Sequence, residues 1–319
     1  MSVLVYANSS EGKFKKATLE VVSYGRELAD QLKSDLTIIT INAEEPKQLE
    51  KYGANKIITV SDNDLGFNAK LYAGIICEAA SDNNIKIVII DSSADGKYLA
   101  PLLSVKFNAG YVSNVVGAPT NIEPFTVKRK AFSNKAFSNT IVTSERKVIG
   151  LSKNSFEIKE NPTTAIVEDF KPNLSSTTIK SEAIDKASGK ISIADADIVV
   201  SGGRGLKTAE NFKLIEDLAE VLGAATACSK PVSDMGWRPH GEHVGQTGKP
   251  VAANLYVAVA ISGAIQHIAG VNASKTKVAI NIDAEAPFFK AADYGIVGDA
   301  FEIVPELTKK IKEFKAENV

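Results

Sequence analysis

Polar and glycine-rich segments in the C-terminal third contain the residues best suited to bind a ligand. Each segment directly follows an apolar run that is typical of a buried strand. In an open parallel sheet such positions line one edge, and ligands bind in the crevice outside it. The sequence therefore predicts a binding crevice formed by Ser201-Gly202-Gly203-Arg204-Gly205, Ser229-Lys230-Pro231, Ser262-Gly263-Ala264-Ile265-Gln266-His267, Asn281-Ile282-Asp283 and Gly298-Asp299.

Two of these segments are suited to phosphate. Ser262 and Gly263 precede a predicted short helix that ends at Gly270, so their amides can point at a phosphate with the helix dipole behind them. Arg204 can pair with phosphate oxygens through its planar guanidinium group. The alternative is that the glycines around Arg204 form only a tight turn between a strand and a helix.

Residues 232–250 lack helical or strand periodicity and carry the motif Val244-Gly245-Gln246-Thr247. Such a segment is typical of a functional loop, although a surface loop without a ligand gives the same pattern. His240 and His243 also lie here, but glycine-rich surroundings do not fix them on one face, so we expect no metal site. His267 is either a ligand contact or a buried structural histidine.

Composition and charge argue against several function classes. The 319 residues carry 37 Lys and Arg against 38 Asp and Glu, which disfavours nucleic acid and anionic membranes as partners. Cys77 and Cys228 form no disulfide or zinc motif, which favours a reducing compartment. The N-terminus is unlike a signal peptide and no apolar run has membrane-spanning length, so we expect a cytoplasmic protein. No nucleophile with a base emerges, which disfavours hydrolysis.

The N-terminal part alternates short β-branched runs with amphipathic stretches. This alternation predicts an α/β domain with a parallel sheet and right-handed crossovers. Helices are predicted within residues 14–32 and 67–82, and strands at residues 3–6, 36–41, 56–60 and 86–90. Further short runs predict extra, largely antiparallel strands at residues 126–131, 139–143, 147–151 and 164–167.

The polar stretch 171–190 lacks periodicity and predicts a domain boundary. We place an N-terminal α/β domain at residues 1–186 and a second domain at residues 187–319. In the second domain the clearest helix is predicted at residues 208–222, with Gly223 as its C-terminal stop. A final helix is predicted to begin at Pro305. Strands are predicted at residues 198–200, 224–228, 255–261, 277–281 and 295–297.

Seven motifs of the C-terminal third resemble, in order, the flavin domain of electron transfer flavoprotein alpha subunits. Ordered matches over about 120 residues are far more specific than one short motif. The N-terminal domain resembles the same family more weakly, in its early α/β segment and in residues 128–148. The seven motifs are VVSGGRGLK (199–207), ENFKLIEDLA (210–219), Ser229-Lys230-Pro231, VGQTGK (244–249), LYVAVAISGAIQHIAG (255–270), AIN (279–281) and ADYGIVGD (292–299).

The resemblance implies an α/β fold with two domains. The first would be similar to adenine-nucleotide alpha hydrolases, with extra antiparallel strands and no bound nucleotide, and would mainly pack against a beta subunit. The second would be a parallel-sheet FAD-binding domain. AMP or a second FAD would lie in the beta subunit, and a bifurcating complex is one version of the family.

The resemblance also implies roles for single residues. Arg204, Ser262 and neighbouring backbone would contact the FAD pyrophosphate, and Asn281 and Asp299 would hold the adenosine end. Thr247 would approach flavin N5, and a cationic or donating His267 would lie by the pyrimidine carbonyl, which stabilises negative charge on the flavin during one-electron reduction. The other cofactor-binding positions implied are Ser229, Lys230, Val244, Gly245, Gln246, Gly263, Ala264, Ile265 and Gln266.

One position departs from the family pattern, because Lys230 stands where we expect arginine. Lysine keeps the charge but lacks the planar group that stacks on a ring, which puts the flavin potential in doubt and leaves FAD binding intact.

The implied function is a non-hydrolytic electron carrier in an alpha-beta heterodimer. Electrons would enter from dehydrogenases such as acyl-CoA dehydrogenases, as in fatty acid beta-oxidation, and leave to a quinone oxidoreductase or another acceptor. The alternative is a redox-inactive module that binds ADP or NAD. Thr247 and His267 favour the carrier, because an adenine-nucleotide module needs neither. A self-contained flavin or NAD oxidoreductase ranks last, since no substrate-pocket residues are recognisable.

Overall fold

A computed structural model describes residues 1–62, 65–174, 192–193 and 195–317. The chain divides into two compact units, Met1–Ile184 and Asp185–Val319. The predicted boundary between residues 186 and 187, and the linker residues from 175 to 190, lie outside the described residues. Within the described residues, none of the helices combines the length and the apolar character that crossing a membrane requires.

The first unit is built on parallel strands whose side chains are buried on both faces. Such doubly covered strands appear in sequence as continuous β-branched runs, because neither face meets water. Its central strands are β1 (Val3–Tyr6), β4 (Leu36–Ile41), β5 (Lys56–Val60) and β6 (Ile87–Asp91), with a small β2 (Ser9–Ser10) and β3 (Lys13–Phe14) hairpin beside them. The sheet order is β10-β9-β7-β11-β6-β1-β4-β5-β12, with β8 paired to β9.

The remaining strands of this sheet include two that were predicted to be antiparallel and are in fact parallel to their neighbours. The strands are β7 (Ala109–Val115), β8 (Asn121–Ile122), β9 (Phe125–Ala131), β10 (Ala136–Ile141), β11 (Arg146–Leu151) and β12 (Ile166–Asp169). The antiparallel prediction is confirmed for β9 and β10. It is wrong for β11, which lies parallel between β6 and β7, and for β12, which pairs in parallel with β5. The buried run in β11 is typical of a central parallel strand.

Helices cover this first sheet on both faces. They are α1 (Lys16–Gln31), a 3-10 helix (Pro46–Tyr52), α2 (Ala69–Asp82) and α3 (Ala94–Lys106). The α2 helix begins where predicted because the Asn68 side chain accepts hydrogen bonds from the amides of Lys70 and Leu71. The two apolar clusters that flank the sheet form the core of this unit.

The second unit is an open, wholly parallel sheet. Its strands are β13 (Ile198–Gly202), β14 (Ala225–Cys228), β15 (Leu255–Val259), β16 (Thr276–Asn281) and β17 (Tyr294–Val297). The order is β14-β13-β15-β16-β17. The next strand in the chain, β14, pairs with one edge of β13, and β15 pairs with its other edge. The crevice between β13 and β15 is therefore the switch point where such sheets bind ligands. The edge strand β17 is exposed along its length.

Helices connect these strands. They are α4 (Lys213–Leu222), α5 (Lys230–Asp234), α6 (Ile265–Val271) and α7 (Ala300–Glu317), with 3-10 helices at Arg204–Leu206, Glu210–Phe212, His240–Glu242 and Pro287–Ala291. Gly223 adopts a φ of 66° at the end of α4, as its predicted stop requires. The predicted start of α7 at Pro305 is wrong. Asp299 caps that helix through a 2.9 Å hydrogen bond from the Phe301 amide, and Pro305 lies inside it.

The two faces of the second sheet bury separate apolar clusters. One contains Tyr256 and Phe288, and the other contains Phe212 and Val304. Together with the first unit, this arrangement confirms the predicted fold class: an α/β domain with added antiparallel strands, followed by a parallel-sheet domain.

Candidate functional site

A cavity of about 580 Å³ opens at the carboxyl ends of β13, β14, β15 and β16 in the second unit. Loops from separate strands thus meet at the predicted edge. The predicted residues that line it are Arg204, Ser229, Lys230, Val244, Gly245, Gln246, Thr247, Ser262, Ala264, Gln266, His267 and Asn281. Three predicted residues, Gly263, Ile265 and Asp299, are not part of the lining.

Six lining residues were not among the predicted cofactor-binding positions, although three of them lie in segments predicted to form the crevice. They are Gly205, Pro231, His243, Ala260, Ile261 and Asp283. Gly205, Pro231 and Asp283 stand in segments that the sequence marks as strand ends. Ala260 and Ile261 were assigned to a strand that in fact ends at Val259. His243 was considered only as a metal ligand, and the described residues place no group of three His, Cys, Asp or Glu side chains to hold a metal ion.

Close backbone contact between two loops shapes the floor of the cavity. Gly203 donates its amide to the carbonyl of Val259 at 2.9 Å. A Cβ at Gly203 would stand 2.0 Å from the carbonyl oxygen of Ala260, so only glycine fits. Ala260 itself adopts a φ of 53°, in the left-handed region that is unfavourable for residues with a Cβ. The strand β15 therefore ends in a strained turn at the cavity floor.

Gly263 supports the site from behind the lining. Its φ is 89°, and a Cβ there would lie 2.4 Å from the backbone nitrogen of Phe288. That nitrogen donates to the carbonyl of Ser262 at 3.0 Å. Glycine at this position thus allows the 3-10 helix at Pro287–Ala291 to pack directly under the Ser262 turn.

Residues 243–247 form one wall of the cavity and are tied to two neighbouring elements. The amide of Val244 donates to the carbonyl of Cys228 at the end of β14, at 3.0 Å. The amide of Gln246 donates to the carbonyl of Gln266 on α6, at 2.8 Å. These bonds hold the polar motif between β14 and α6, where it faces the crevice.

His267, on α6 beside that wall, is buried with 6% of its surface exposed. Its Nε2 lies 2.9 Å from the hydroxyl of Tyr256, and the ring also interacts with the backbone of Val244. Burial lowers the pKa of His267 to about 4, and His243 adds to the effect. The imidazole is therefore neutral near pH 7 before a ligand binds, which favours the donating form over the cationic one.

His243 is a second buried imidazole in the lining. Its exposure is 2%, and burial, with smaller effects from His240 and Lys230, lowers its pKa. The ring packs against Gly248, where an added Cβ would lie 2.9 Å from His243 Nδ1. The wall of residues 243–247 thus carries a second buried imidazole, close enough to His267 to affect its pKa.

The remaining predicted residues divide between the cavity and its frame. Asn281 Nδ2 donates to the carbonyl of Ile261 at 3.0 Å, and its Oδ1 accepts from the amide of Asp283 at 3.1 Å. Asn281 therefore joins the ends of β15 and β16 while lining the cavity. Asp299 caps α7 at the neighbouring strand end, and Ile265 is exposed.

The lining suits an elongated nucleotide with a negatively charged centre. Arg204 and Lys230 are exposed cations on the cavity wall, and one carboxylate, Asp283, lies on the rim. A cavity of this size is in the range of cofactor sites.

An open parallel sheet with such a cavity at its switch point defines an α/β nucleotide-binding domain. Residues 192–272 match the electron transfer flavoprotein FAD-binding domain, and residues 3–175 match the electron transfer flavoprotein domain. The chain belongs to the electron transfer flavoprotein family, as an alpha subunit with the family's FAD-binding domain. The sequence-based family assignment is thereby confirmed.

Curated relatives match along nearly the whole chain. The electron transfer flavoprotein subunit alpha of Bacillus subtilis (strain 168) is 34% identical, covering 98% of this chain and 97% of its own. Protein FixB of Clostridium saccharobutylicum is 33% identical, covering 98% and 96%. The electron transfer flavoprotein subunit alpha of Megasphaera elsdenii is 32% identical, covering 98% and 97%.

Proposed function

We propose that this chain holds one FAD in the cavity of the second unit and carries electrons between partner proteins as the alpha subunit of a heterodimer. The observation that carries the proposal is the convergence of Thr247 and His267 on one cavity, from segments that are separate in sequence. An adenine-nucleotide module needs no such pair of polar groups. FAD supplies the redox chemistry when bound, and the protein supplies binding, orientation and electrostatics.

Arg204 and the backbone around Ser262 are proposed to hold the pyrophosphate. Arg204 lies beside Gly205 on the 3-10 helix that follows β13, and Ser262 lies on the turn after β15. Both therefore stand at the switch point, where opposing loops can reach the same phosphates. Ala264 and Gly263 extend this turn, and Ile265 begins the α6 helix behind it.

Asn281 and Asp299 are proposed to hold the adenosine end, because they follow β16 and β17 on the far side of the switch point. Ser229, Lys230, Gln246, Thr247, Gln266 and His267 are proposed to surround the flavin ring, with Val244 and Gly245 shaping its wall. A neutral His267 acts there as a hydrogen-bond donor, since burial disfavours its protonated form.

The proposed partners are inferred from the family to which the chain belongs. The first unit is proposed to pack against a beta subunit that holds AMP or a second FAD. Electrons are proposed to pass from dehydrogenases, such as the acyl-CoA dehydrogenases of fatty acid beta-oxidation, to a quinone oxidoreductase or another acceptor. We place this carrier in the cytoplasm, without membrane insertion.

The deciding experiment is the absorption spectrum of the chain copurified with its beta subunit, recorded during stepwise reduction by dithionite. We expect a flavin band near about 450 nm that is lost on reduction, because the cofactor carries the electrons. A colourless protein that stays colourless after incubation with FAD would overturn the proposal. Binding of ADP or NAD in the same cavity would then identify a nucleotide module.

A further inference from the structure

Arg238 connects the cavity wall to the frame of the second unit without lining the cavity itself. Its Nε and Nη2 donate to the two carboxylate oxygens of Glu242, at 2.7 and 2.8 Å. Its Nη1 donates to Glu216 on α4 at 2.6 Å, and Nη2 also donates to the hydroxyl of Thr226 on β14 at 3.3 Å. One guanidinium group thus joins a loop residue, a helix and a strand.

The Arg238 network, formed with Glu242, Glu216 and Thr226, has a buried centre at Arg238 and Glu242, while the Glu216 side chain keeps 38% of its surface exposed. The side chains of Arg238 and Glu242 keep 12% and 11% of their surface exposed. The guanidinium carbon also lies 5.3 Å from the ring centre of Phe212. A planar group that bonds both oxygens of one carboxylate fixes its partner's orientation as well as its distance. The network therefore sets the position of Glu242 relative to α4 and β14.

Glu242 directly precedes the residues that form the cavity wall. His243 and Val244 follow it and line the cavity. The amides of Glu242 and His243 donate locally, to the carbonyls of Pro239 and His240. Arg238 adds side-chain bonds from this stretch to α4 and β14, next to the backbone bond from Val244 to Cys228.

We propose that Arg238 is a positioning residue, which holds residues 239–249 in the ligand-binding arrangement before the ligand arrives. Anchoring of the loop by Arg238 can be tested in the ligand-free chain. The expected effect on FAD binding rests on the proposed function. The network has one cation and two carboxylates. Loss of the cation would leave Glu216 and Glu242 to repel each other and would loosen the loop, which would then depend on its backbone bonds to Cys228 and Gln266.

Amide hydrogen exchange in the full, ligand-free chain tests the anchoring. We expect Arg238→Met to speed exchange at the hydrogen-bonded amides of Val244, Gln246 and Lys249, with a smaller effect in Arg238→Lys, which keeps the charge and loses the planar group. Lys213→Met is the matched control, since it breaks the exposed pair with Asp217 on α4. Wild-type exchange in Arg238→Met would overturn the proposal.

FAD titration and the reduction potential of bound FAD test the consequence. We expect Arg238→Met to bind FAD roughly tenfold more weakly, because small displacements of positioning groups have large effects. We also expect a changed reduction potential, which a general loss of stability would not produce, and partial recovery in Arg238→Lys. Affinity and potential equal to the wild type would overturn the positioning role.

Failure of the anchoring proposal can be distinguished from misfolding of a variant and from failure of the proposed function. If Arg238→Met fails to fold, Arg238→Lys and the isosteric Glu242→Gln replace it, and both are expected to show faster exchange and weaker FAD binding. If the wild-type chain itself binds no FAD, the proposed function fails, and the exchange comparison still decides whether Arg238 anchors the loop.

Discussion

The hydroxyl of Tyr256 lies 2.9 Å from Nε2 of His267, and both side chains are buried. Burial raises the pKa of Tyr256, so its hydroxyl keeps its proton. Each side chain satisfies a buried polar atom of the other, so the Tyr256 hydroxyl fixes the orientation of the His267 ring in the cavity lining.

Removal of the Tyr256 hydroxyl is expected to destabilise the second unit. Tyr256→Phe leaves the buried Nε2 of His267 without its hydrogen-bond partner, which lowers the free energy of unfolding by about 1 to 3 kcal/mol. Urea unfolding can be followed through the fluorescence of Trp237, the single tryptophan of the chain. Tyr294→Phe, at an exposed position, is the matched control. Equal urea midpoints for Tyr256→Phe and the control would contradict the expectation.

The stability of the second unit is expected to fall as the pH drops from about 6.5 to about 4. Because burial lowers the pKa of native His267 to about 4, the unfolded chain binds more protons in this window. Stability therefore rises with pH across it, and the His267 contribution totals about 3 kcal/mol. His267→Gln should flatten the dependence, measured as Trp237 unfolding midpoints at several pH values. A residual slope from His243 remains.

The test compares the pH dependence of the unfolding midpoint in the wild type with that in His267→Gln, because other groups also titrate below neutral pH. If wild type and His267→Gln lose stability in parallel between pH 6.5 and pH 4, the native imidazole is not held neutral by its surroundings.

Gly203→Ala is expected to disrupt the cavity floor. The new Cβ would stand 2.0 Å from the carbonyl oxygen of Ala260, so the backbone must shift. Such overpacking costs about 1 to 3 kcal/mol and should also weaken FAD binding. The control is Gly241→Ala, where the nearest atom to a new Cβ is Lys249 Nζ at 3.8 Å. Calorimetry and FAD titration should show a lower melting temperature and weaker FAD binding in Gly203→Ala than in Gly241→Ala. Equal melting temperatures and affinities in the two variants would refute the prediction.

Ala260→Gly is expected to stabilise the turn at the end of β15 by up to about 1 kcal/mol. The φ of 53° at Ala260 strains a residue with a Cβ, and glycine relieves that strain, although it also frees the unfolded chain. Ala258→Gly, inside the strand, should destabilise instead. Denaturant unfolding of the two variants gives opposite signs, and destabilisation by both would mean that Ala260 is not strained.

Lys230→Gln is expected to lower the reduction potential of bound FAD, because Lys230 is a cation in the cavity lining. A unit charge about 4 Å from the ring corresponds to roughly 40 to 170 mV for one electron. Lys230→Arg should shift the potential less, since the charge is kept. Lys249→Gln, an exposed lysine of the second unit outside the lining, is the control for spectroelectrochemical titration. Equal potentials in Lys230→Gln and wild type would place Lys230 away from the ring.

Local patterns predicted most of the elements and most of the cavity. The strand-end segments carry their signal in sequence, because apolar runs followed by Gly and polar residues occur where strands of an α/β sheet end. Non-local pairing carries no such signal. The direction of Arg146–Leu151 depends on a partner strand at Ile87–Asp91, far away in the chain.

Other errors came from contacts that only tertiary structure creates. Pro305 is typical of a first helical turn, yet the Asp299 cap starts the helix earlier. Ala260 looks like strand, and its turn follows from close contact with Gly203 and Gly205. Arg238 has no motif of its own, since its role arises from partners on α4, on β14 and in its own loop.

The exposed edge strand β17 has a consequence for handling the isolated chain. Within the described residues it pairs only with β16, so its outer edge offers unsatisfied backbone groups, and Tyr294, Ile296 and Val297 add exposed apolar surface. An open apolar edge is a template for adding strands from other molecules. Concentrated preparations of this subunit should therefore aggregate through β17, and a lysine at Ile296 should keep them in solution.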